Sequence, residues 1–303
     1  MENKRSFPLF ISGFWLKVLA ILTMTIDHVG LLMQTYGYAT KLASIFRFVG
    51  RFALPLFCFM IFEGVIHTKS FKKYALRLGI MASVVSLSML LLQVIPPLKS
   101  IGDLIRDYGI IFIDLLLGAL AVYLLMQKKW YIKLLALLPL AYGVLSYIAN
   151  SIEACNCYQV LWLPFFLRTQ YGWYGIALII GFYLAFILTK LFISITSQKM
   201  MVPVESYNGS DLEKNALNII SALMLVIITI LFFYINEFTP PNYVFADYHL
   251  QLYAMIAGAF ILLYNGARGY NKKWFQYGCY LYYVIHIPLL AAIFFLINYL
   301  MNL

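Results

Sequence analysis

Long apolar runs, each of roughly 20 residues, recur along this chain and constrain its fold more than any other feature. A run of that length crosses the ~30 Å hydrocarbon core of a bilayer as an α-helix. The runs are continuous rather than alternating, which excludes a transmembrane β-barrel. Of the 303 residues, 63% are hydrophobic and only 11% are charged, against about a quarter charged in a soluble domain. The sequence therefore predicts an all-α, polytopic transmembrane helical bundle that forms a single domain over residues 1–303.

Nine spanning segments fit the pattern of apolar runs. They cover residues 14–35, 44–66, 74–96, 108–127, 131–149, 172–195, 216–236, 249–267 and 276–299. The stretch 156–170 is too broken by polar residues and Pro164 to span, so we expect an interfacial or re-entrant segment there. The polar stretch 196–214 is expected to be a flexible loop. The first run is expected to be a retained helix rather than a cleaved signal peptide.

The formal charge of +10 follows from where the basic residues lie. Lys and Arg cluster at the N-terminus and in alternate loops, which the positive-inside rule places in the cytoplasm. This predicts a cytoplasmic N-terminus, an external C-terminus and a bacterial inner or plasma membrane. The charge then indicates membrane lipid, and no nucleic acid, as a partner. The four cysteines form no metal or redox motif, and no metal site is predicted.

The first two apolar runs carry ionisable side chains at membrane depth, where such groups are a functional-site hypothesis by default. Asp27 and His28 lie in the first run. Because they are adjacent, they point about 100° apart on a helix and serve different roles. In one arrangement His28 faces a reaction cavity while Asp27 pairs with an arginine of the next helix. In the other, the two residues form a structural patch that locks two helices together. Residue chemistry alone leaves these alternatives equal.

The second run carries Arg47 and Arg51 four residues apart, hence on one helical face. Two guanidinium groups on one face can bind a phosphate-bearing ligand, or they can simply balance the charge of Asp27. Pro55 frees the Arg51 carbonyl and is expected to kink the helix. Glu63, at the end of the run, has the spacing to pair with His67.

Two further residues, Asp114 and His286, are candidates for buried polar roles. Asp114 lies alone in the fourth segment, and its expected partner is Arg77 or an arginine of the second helix. His286 in the ninth segment is expected to make a helix–helix hydrogen bond. His28 is the best general base by residue type, because the ordinary pKa of histidine lies near neutrality.

Five pieces of the chain resemble TraX proteins, and together they span nearly its whole length. They are LKVLAILTMTIDHVG, FRFVGRFALPLFCFMIFEGVIHTKSFKKYALRL, YGWYGIALIIGFYL, LLYNGARGY and YLYYVIHIPLL. Two departures stand out. The chain has Asp114-Leu115 where the family tends to have Thr-Leu, and Val284-Ile285 where the family tends to have Tyr-Pro before the late histidine. The first departure bears on the acceptor side, and the second weakens a catalytic role for His286.

The resemblance implies a membrane acyltransferase related to the acyltransferase-three superfamily, with acetyl-CoA as donor and N-terminal acetylation of pilin as the namesake activity. It places the superfamily's catalytic histidine at His28. In this interpretation Asp27 has an orienting or charge-neutralising role, and Glu63 positions His67 or the donor. The predicted catalytic residues are therefore His28, Asp27 and Glu63. The predicted donor-binding residues are Arg47, Arg51, His67, Lys72, Lys73 and Arg77.

The sequence leaves several alternatives open. His28 can act as a general base or carry the acyl group, and the acceptor can be a peptide amine or a glycan hydroxyl. A transporter or flippase without covalent chemistry is the alternative class, because embedded charges and kinked helices serve those proteins too. A structural scaffold is a third. An enzyme is expected to have one buried tunnel that reaches His28 from the cytoplasm.

Overall fold

The structure, a computed structural model, describes residues 9–95, 109–156, 160–239, 247–270 and 272–301. We number its α-helices in chain order. They are α1 (Gly13–Thr35), α2 (Thr40–Gly50), α3 (Ala53–His67), α4 (Phe71–Val94), α5 (Ile111–Leu125), α6 (Trp130–Leu134), α7 (Leu137–Asn156), α8 (Trp173–Met200), α9 (Asp211–Glu237), α10 (Ala257–Leu262) and α11 (Lys273–Met301). The described chain forms an all-α bundle, which confirms the predicted fold class.

Seven stretches are long and apolar enough to cross a membrane, and they match seven of the nine predicted segments. The fourth and eighth segments are shorter. Helix α5 has 15 residues and rises about 22 Å. The eighth segment begins as a 3₁₀ helix, Tyr248–Ile256, and continues as α10. A 3₁₀ helix rises about 2 Å per residue, whereas an α-helix rises about 1.5 Å per residue. The 15 residues of the two helices together therefore extend about 27 Å, nearly the thickness of the hydrocarbon core.

The second segment is broken between α2 and α3, as its proline predicts. Helix α2 ends at Gly50, Arg51 and Phe52 form a turn, and α3 begins at Ala53. Pro55 lies in the first turn of α3, where its missing N–H leaves no intrahelical bond unmade. The break lets α2 pack closely on α1. An added methyl group at Gly50 would overlap the Asp27 carboxylate, so only glycine permits this approach.

The stretch between α7 and α8 does not span, in agreement with the prediction, although residues 157–159 lie outside the described residues. It contains a short 3₁₀ turn, Phe165–Leu167. The stretch packs against the start of α5, where the Ile110 N–H donates to the Arg168 carbonyl oxygen. Arg168 is 1% exposed and donates to the carbonyls of Leu163 and Val160 and to the Glu153 carboxylate. Irregular backbone survives at membrane depth only when its polar groups are bonded internally, and Arg168 supplies much of that bonding.

The loop predicted over 196–214 is shorter in the structure, so its predicted bounds are wrong. Helix α8 continues to Met200 and α9 begins at Asp211, with a 3₁₀ turn between them. Ser210 caps α9 by accepting from the Glu213 backbone N–H, and the Glu213 carboxylate accepts from the N–H of Gly209. The sequence Ser-x-x-Glu is a capping signal, and Lys190 of α8 reaches Glu213 at 2.5 Å. These bonds order a segment whose polarity alone predicts a loop.

Candidate functional site

The buried charges of the first two segments meet at the α1–α2 contact. Asp27 of α1 binds both arginines: Oδ2 lies 2.6 Å from Arg47 Nη1, and Oδ1 lies 2.8 Å from Arg51 Nη2. Both guanidinium groups are almost fully buried, with side-chain exposures of 4% and 5%. The predicted pairing of Asp27 with an arginine of the next helix is confirmed, and the carboxylate pairs with two arginines rather than one.

A second carboxylate completes the charge balance of this cluster. Asp247, at the start of the eighth segment, lies 3.1 Å from Arg47 Nη2. Its backbone φ is +57°, a left-handed conformation that Asp tolerates better than most residues. Two arginines therefore face two carboxylates, and the cluster is formally neutral. Charge balance explains how Asp27 and the two guanidinium groups are tolerated when buried, while the Asp247 side chain is 48% exposed.

His28 turns away from the charge cluster and faces α11. Its Nδ1 lies 2.9 Å from Nε2 of His286, and the two rings are 4.8 Å apart at a tilt of 49°. His286 is 1% exposed. Its Nδ1 lies 2.7 Å from the Tyr283 carbonyl oxygen and 3.1 Å from that of Tyr282. The expected helix–helix hydrogen bond of His286 is confirmed, and its partner is the candidate base itself.

A cavity of about 540 Å³ opens among α1, α3, α4, α5 and α11. We call the side where it carries its cationic residues the basic rim, formed by Lys17, Lys69, Arg77 and Arg268. Deeper in, aromatic side chains line the cavity, and Phe112 and Tyr283 form part of its wall. Their rings meet edge to face at a centroid distance of 4.6 Å. The cavity therefore changes from cationic to uncharged with depth, and aromatic side chains line both parts.

His28 is not among the described residues that line this cavity. The lining reaches Ile21 of α1, two turns before His28. Tyr283 contacts both the cavity and the histidine pair, because it lines the cavity and its carbonyl oxygen is a hydrogen-bond partner of His286. One aromatic layer thus separates the cavity from the histidine pair. The expected tunnel is present only in part, since its described lining stops short of His28.

The cavity takes in some of the predicted donor-binding residues and leaves out others. Glu63, His67 and Arg77 line it. Lys72 and Lys73 are exposed on α4 and are absent from its described lining. Arg47 and Arg51 are likewise absent, because the structure holds their guanidinium groups on Asp27. Sequence reasoning missed Lys17, Lys69 and Arg268, although each belongs to the basic clusters that the positive-inside pattern had already marked.

Glu63 is held from two sides at the edge of the cavity. Its Oε2 accepts a hydrogen bond from the Tyr264 hydroxyl at 3.3 Å and lies 3.5 Å from Nδ1 of His67. The predicted spacing of Glu63 and His67 is therefore confirmed as a contact. The His67 side chain is 59% exposed, so it can meet a ligand at the mouth of the cavity.

Asp114 pairs with no arginine among the described residues, so the predicted pairing with Arg77 or an arginine of the second helix is wrong. Its carboxylate is fully buried and accepts from the backbone N–H groups of Gln170, at 2.6 Å, and Tyr171, at 3.2 Å. These residues immediately precede α8, so Asp114 ties the irregular stretch to α5. Burial raises the pKa of the Tyr171 phenol, while nearby Arg51 opposes the shift. Tyr171 therefore remains a neutral hydroxyl beside the charge cluster.

The fold and the site together define a polytopic helical membrane protein with a neutralised charge cluster, a histidine pair and a cavity with a basic rim. The family described as TraX protein matches residues 12–251 of the chain. The chain therefore belongs to the TraX family.

A curated relative is a probable fimbrial assembly protein FimC, serogroup H1, from Dichelobacter nodosus. It is 45% identical over 67 residues, which cover 22% of this chain and 27% of the relative. The chain thus spans about a quarter of the length of that relative. No solved structure matches the chain.

Proposed function

We propose that this protein is a membrane-embedded acyltransferase that transfers acetyl from acetyl-CoA to an acceptor amine or hydroxyl. The observation that carries the proposal is the charge gradient of the cavity. A long ligand with phosphates at one end and an uncharged arm at the other complements a basic rim and an aromatic interior. Coenzyme A has this form, with its nucleotide phosphates at one end and the pantetheine arm ending in the thioester. Membership of the TraX family and the acyltransferase-three resemblance of the sequence support the same chemistry.

In this proposal the donor enters from the cytoplasm, because the basic rim lies in loops and helix ends that the positive-inside rule places there. His28 lies 15 residues beyond the start of α1, about 22 Å deeper. The thioester therefore stops near the Phe112–Tyr283 layer, and Tyr283 has to swing aside before His28 can reach the acyl carbon. The setting is a bacterial inner membrane, with the acceptor approaching from the outer half.

The chemical step uses His28 as general base, or as transient carrier of the acyl group. As a base, it takes the proton of the acceptor while the acceptor atom bonds to the acyl carbon. The carbon–sulfur bond then breaks, and the thiolate takes that proton from the imidazolium. Asp27 with its two arginines fixes the α1–α2 contact, and Glu63 holds the mouth of the cavity.

We propose a peptide amine as acceptor, because the relative's name refers to fimbrial assembly. A pilin-like peptide is the leading candidate, and a glycan hydroxyl is the alternative. The relative shares only a quarter of its length with this chain, so the acceptor is to be identified by assay.

The test uses purified protein in detergent with radiolabelled acetyl-CoA. We expect saturable binding and slow donor hydrolysis or peptide acetylation. His28→Gln should retain binding and lose turnover. Lys69→Gln should weaken binding about tenfold, as expected for loss of one phosphate contact worth about 1.4 kcal/mol. The matched control is Lys72→Gln in the first turn of α4, three residues further along the chain. Lys72 lies outside the described cavity lining, so this variant should bind as the parent does. Absence of donor binding by folded protein would refute the proposal.

A thiol in the cavity gives an independent measure of occupancy. Cys279 lines the cavity, whereas Cys58 is fully buried. In a variant with Cys155 and Cys157 replaced by Ser, maleimide should react with Cys279 alone. Acetyl-CoA should slow that reaction in proportion to its occupancy. An unchanged rate at saturating donor would show that the donor does not occupy this cavity.

Transport without covalent chemistry is the second candidate, and one observation favours it. The described cavity lining stops before His28. This is the arrangement expected of a protein that binds an amphipathic anion without changing it chemically. Donor binding without any hydrolysis or transfer, at every acceptor tested, would favour this candidate over the enzyme.

A further inference from the structure

We propose that His286 is a positioning residue that fixes His28 in the tautomer with its proton on Nδ1, and so leaves His28 Nε2 as the basic nitrogen. The observation is the alignment of two imidazole rings and one helix carbonyl across α1 and α11. The catalytic consequence rests on the proposed acyltransferase function. The tautomer itself follows from the geometry alone and can be measured without any assay of activity.

The chain of hydrogen bonds begins at the backbone of α11. Nδ1 of His286 lies 2.7 Å from the Tyr283 carbonyl oxygen and 3.1 Å from the Tyr282 carbonyl oxygen. A carbonyl oxygen only accepts, so Nδ1 of His286 has to carry a proton. In a neutral imidazole the other nitrogen is then an acceptor. Nε2 of His286 therefore presents a lone pair.

That lone pair faces His28. The distance from Nε2 of His286 to Nδ1 of His28 is 2.9 Å, which is an ordinary hydrogen-bond length. Because Nε2 accepts, Nδ1 of His28 has to donate, which places its single proton there. The described residues provide no hydrogen-bond partner for Nε2 of His28. That nitrogen is therefore the free basic atom of the pair.

The opposite arrangement would require a positive charge on His286. Its Nε2 could donate to His28 only if both ring nitrogens carried protons, since Nδ1 already donates to the carbonyl. The neighbouring cluster offers no surplus negative charge, because Asp27 and Asp247 already face Arg47 and Arg51. His286 is 1% exposed, and an uncompensated charge at such a buried site is strongly unfavourable. The neutral pair is therefore favoured.

The tautomer matters because general-base catalysis needs the lone pair on the nitrogen that meets the substrate. Free histidine favours the Nε2–H form, which would present a proton to the acceptor instead of a lone pair. A correctly placed general base contributes about 10²- to 10⁴-fold in rate. Fixing the tautomer secures that contribution before substrate binds.

Two substitutions of His286 separate the roles of its nitrogens. His286→Gln can place an amide oxygen where Nε2 lies and accept from His28. His286→Asn can only place its amide near the position of Nδ1. It therefore keeps the hydrogen bond to the helix carbonyl and loses the hydrogen bond to His28. We expect His286→Gln to retain turnover within about tenfold of the parent and His286→Asn to lose about 10²-fold or more. The KM for acetyl-CoA should stay unchanged in both, because neither nitrogen lines the donor cavity.

The deciding measurement is the ring ¹⁵N spectrum of full-length protein labelled at histidine, in detergent. The chain has four histidines, and His67→Gln and His249→Gln variants assign the other two signals. We expect His28 and His286 both as Nδ1–H tautomers in the parent, and His28 shifted toward Nε2–H in His286→Asn. His28 found as Nε2–H in the parent would overturn the proposal, as would an unchanged His28 tautomer in His286→Asn.

The two proposals fail separately. A correct tautomer in a protein that neither binds nor turns over acetyl-CoA would support the positioning role and refute the acyltransferase. Full turnover in His286→Asn would refute the positioning role and leave the acyltransferase intact.

Discussion

Neutralising Asp27 provides the sharpest test of the charge cluster. Asp27→Asn keeps the shape of the side chain and removes the negative charge that faces Arg47 and Arg51 at 2.6 and 2.8 Å. One ion pair at about 4 Å is worth roughly 4 kcal/mol at an effective dielectric constant of 20. The substitution removes two such pairs. The loss is reduced because a neutral asparagine side chain costs less to desolvate than the Asp27 carboxylate, and because Arg47 keeps its ion pair with Asp247. The net loss in free energy of unfolding is then about 3–5 kcal/mol, the usual cost of removing one partner from a buried ion pair.

The assay is reversible unfolding in mixed micelles by titration with sodium dodecyl sulfate, followed by tryptophan fluorescence. Arg51→Gln and the double variant Asp27→Asn/Arg51→Gln complete a double-mutant cycle, with an expected coupling energy of about 2 kcal/mol or more. Asp211→Asn is the matched control, because Asp211 is 67% exposed and lies 3.9 Å from Lys214. An exposed pair of this kind is worth at most about 1 kcal/mol.

Two results would refute this reasoning. One is a loss in Asp27→Asn no larger than that of the Asp211 control. The other is strict additivity of the Asp27 and Arg51 substitutions, since additivity would mean that the two groups do not interact in the folded protein.

Two further substitutions test the packing around the site by the same unfolding assay. Gly50→Ala should lower the free energy of unfolding by about 1–3 kcal/mol, because its methyl group overlaps Asp27. Gly79→Ala is its control, since an added methyl there meets nothing within 4 Å, and it should be neutral or stabilising by up to about 1 kcal/mol. Asp114→Ala should cost about 2–5 kcal/mol by leaving two buried N–H groups without an acceptor. Asp114→Asn, which keeps one acceptor oxygen, should cost less. Equal losses within either pair would contradict the assigned contacts.

Signals that are local in the chain predicted the class of fold and part of the site. The apolar runs fixed the class of fold, because only a helix or a closed barrel satisfies its backbone in hydrocarbon. Pro55 predicted the break at Arg51, and the spacing of Glu63 and His67 predicted their contact. Each of these signals is local in the chain. By contrast, the polarity of residues 196–214 predicted a longer loop than the structure has, although the Ser-x-x-Glu sequence at Ser210 is itself a local signal for the start of a helix.

Contacts between distant segments needed the tertiary structure. The charge of Asp114 predicted an arginine as its partner. In the structure its carboxylate oxygens instead accept from backbone N–H groups 56 and 57 residues away. The same holds for the cavity, whose basic rim draws on four separate stretches of the chain.

The sequence by itself determined that Asp27, His28, Arg47 and Arg51 lie in membrane-spanning helices, and it left their function and their structural role equally weighted. Only the tertiary structure decided that both arginines bind Asp27 and that His28 meets His286, 258 residues away. The physical reason is that hydropathy fixes the depth of a residue along its helix. The direction in which its side chain points depends on the helices packed around it.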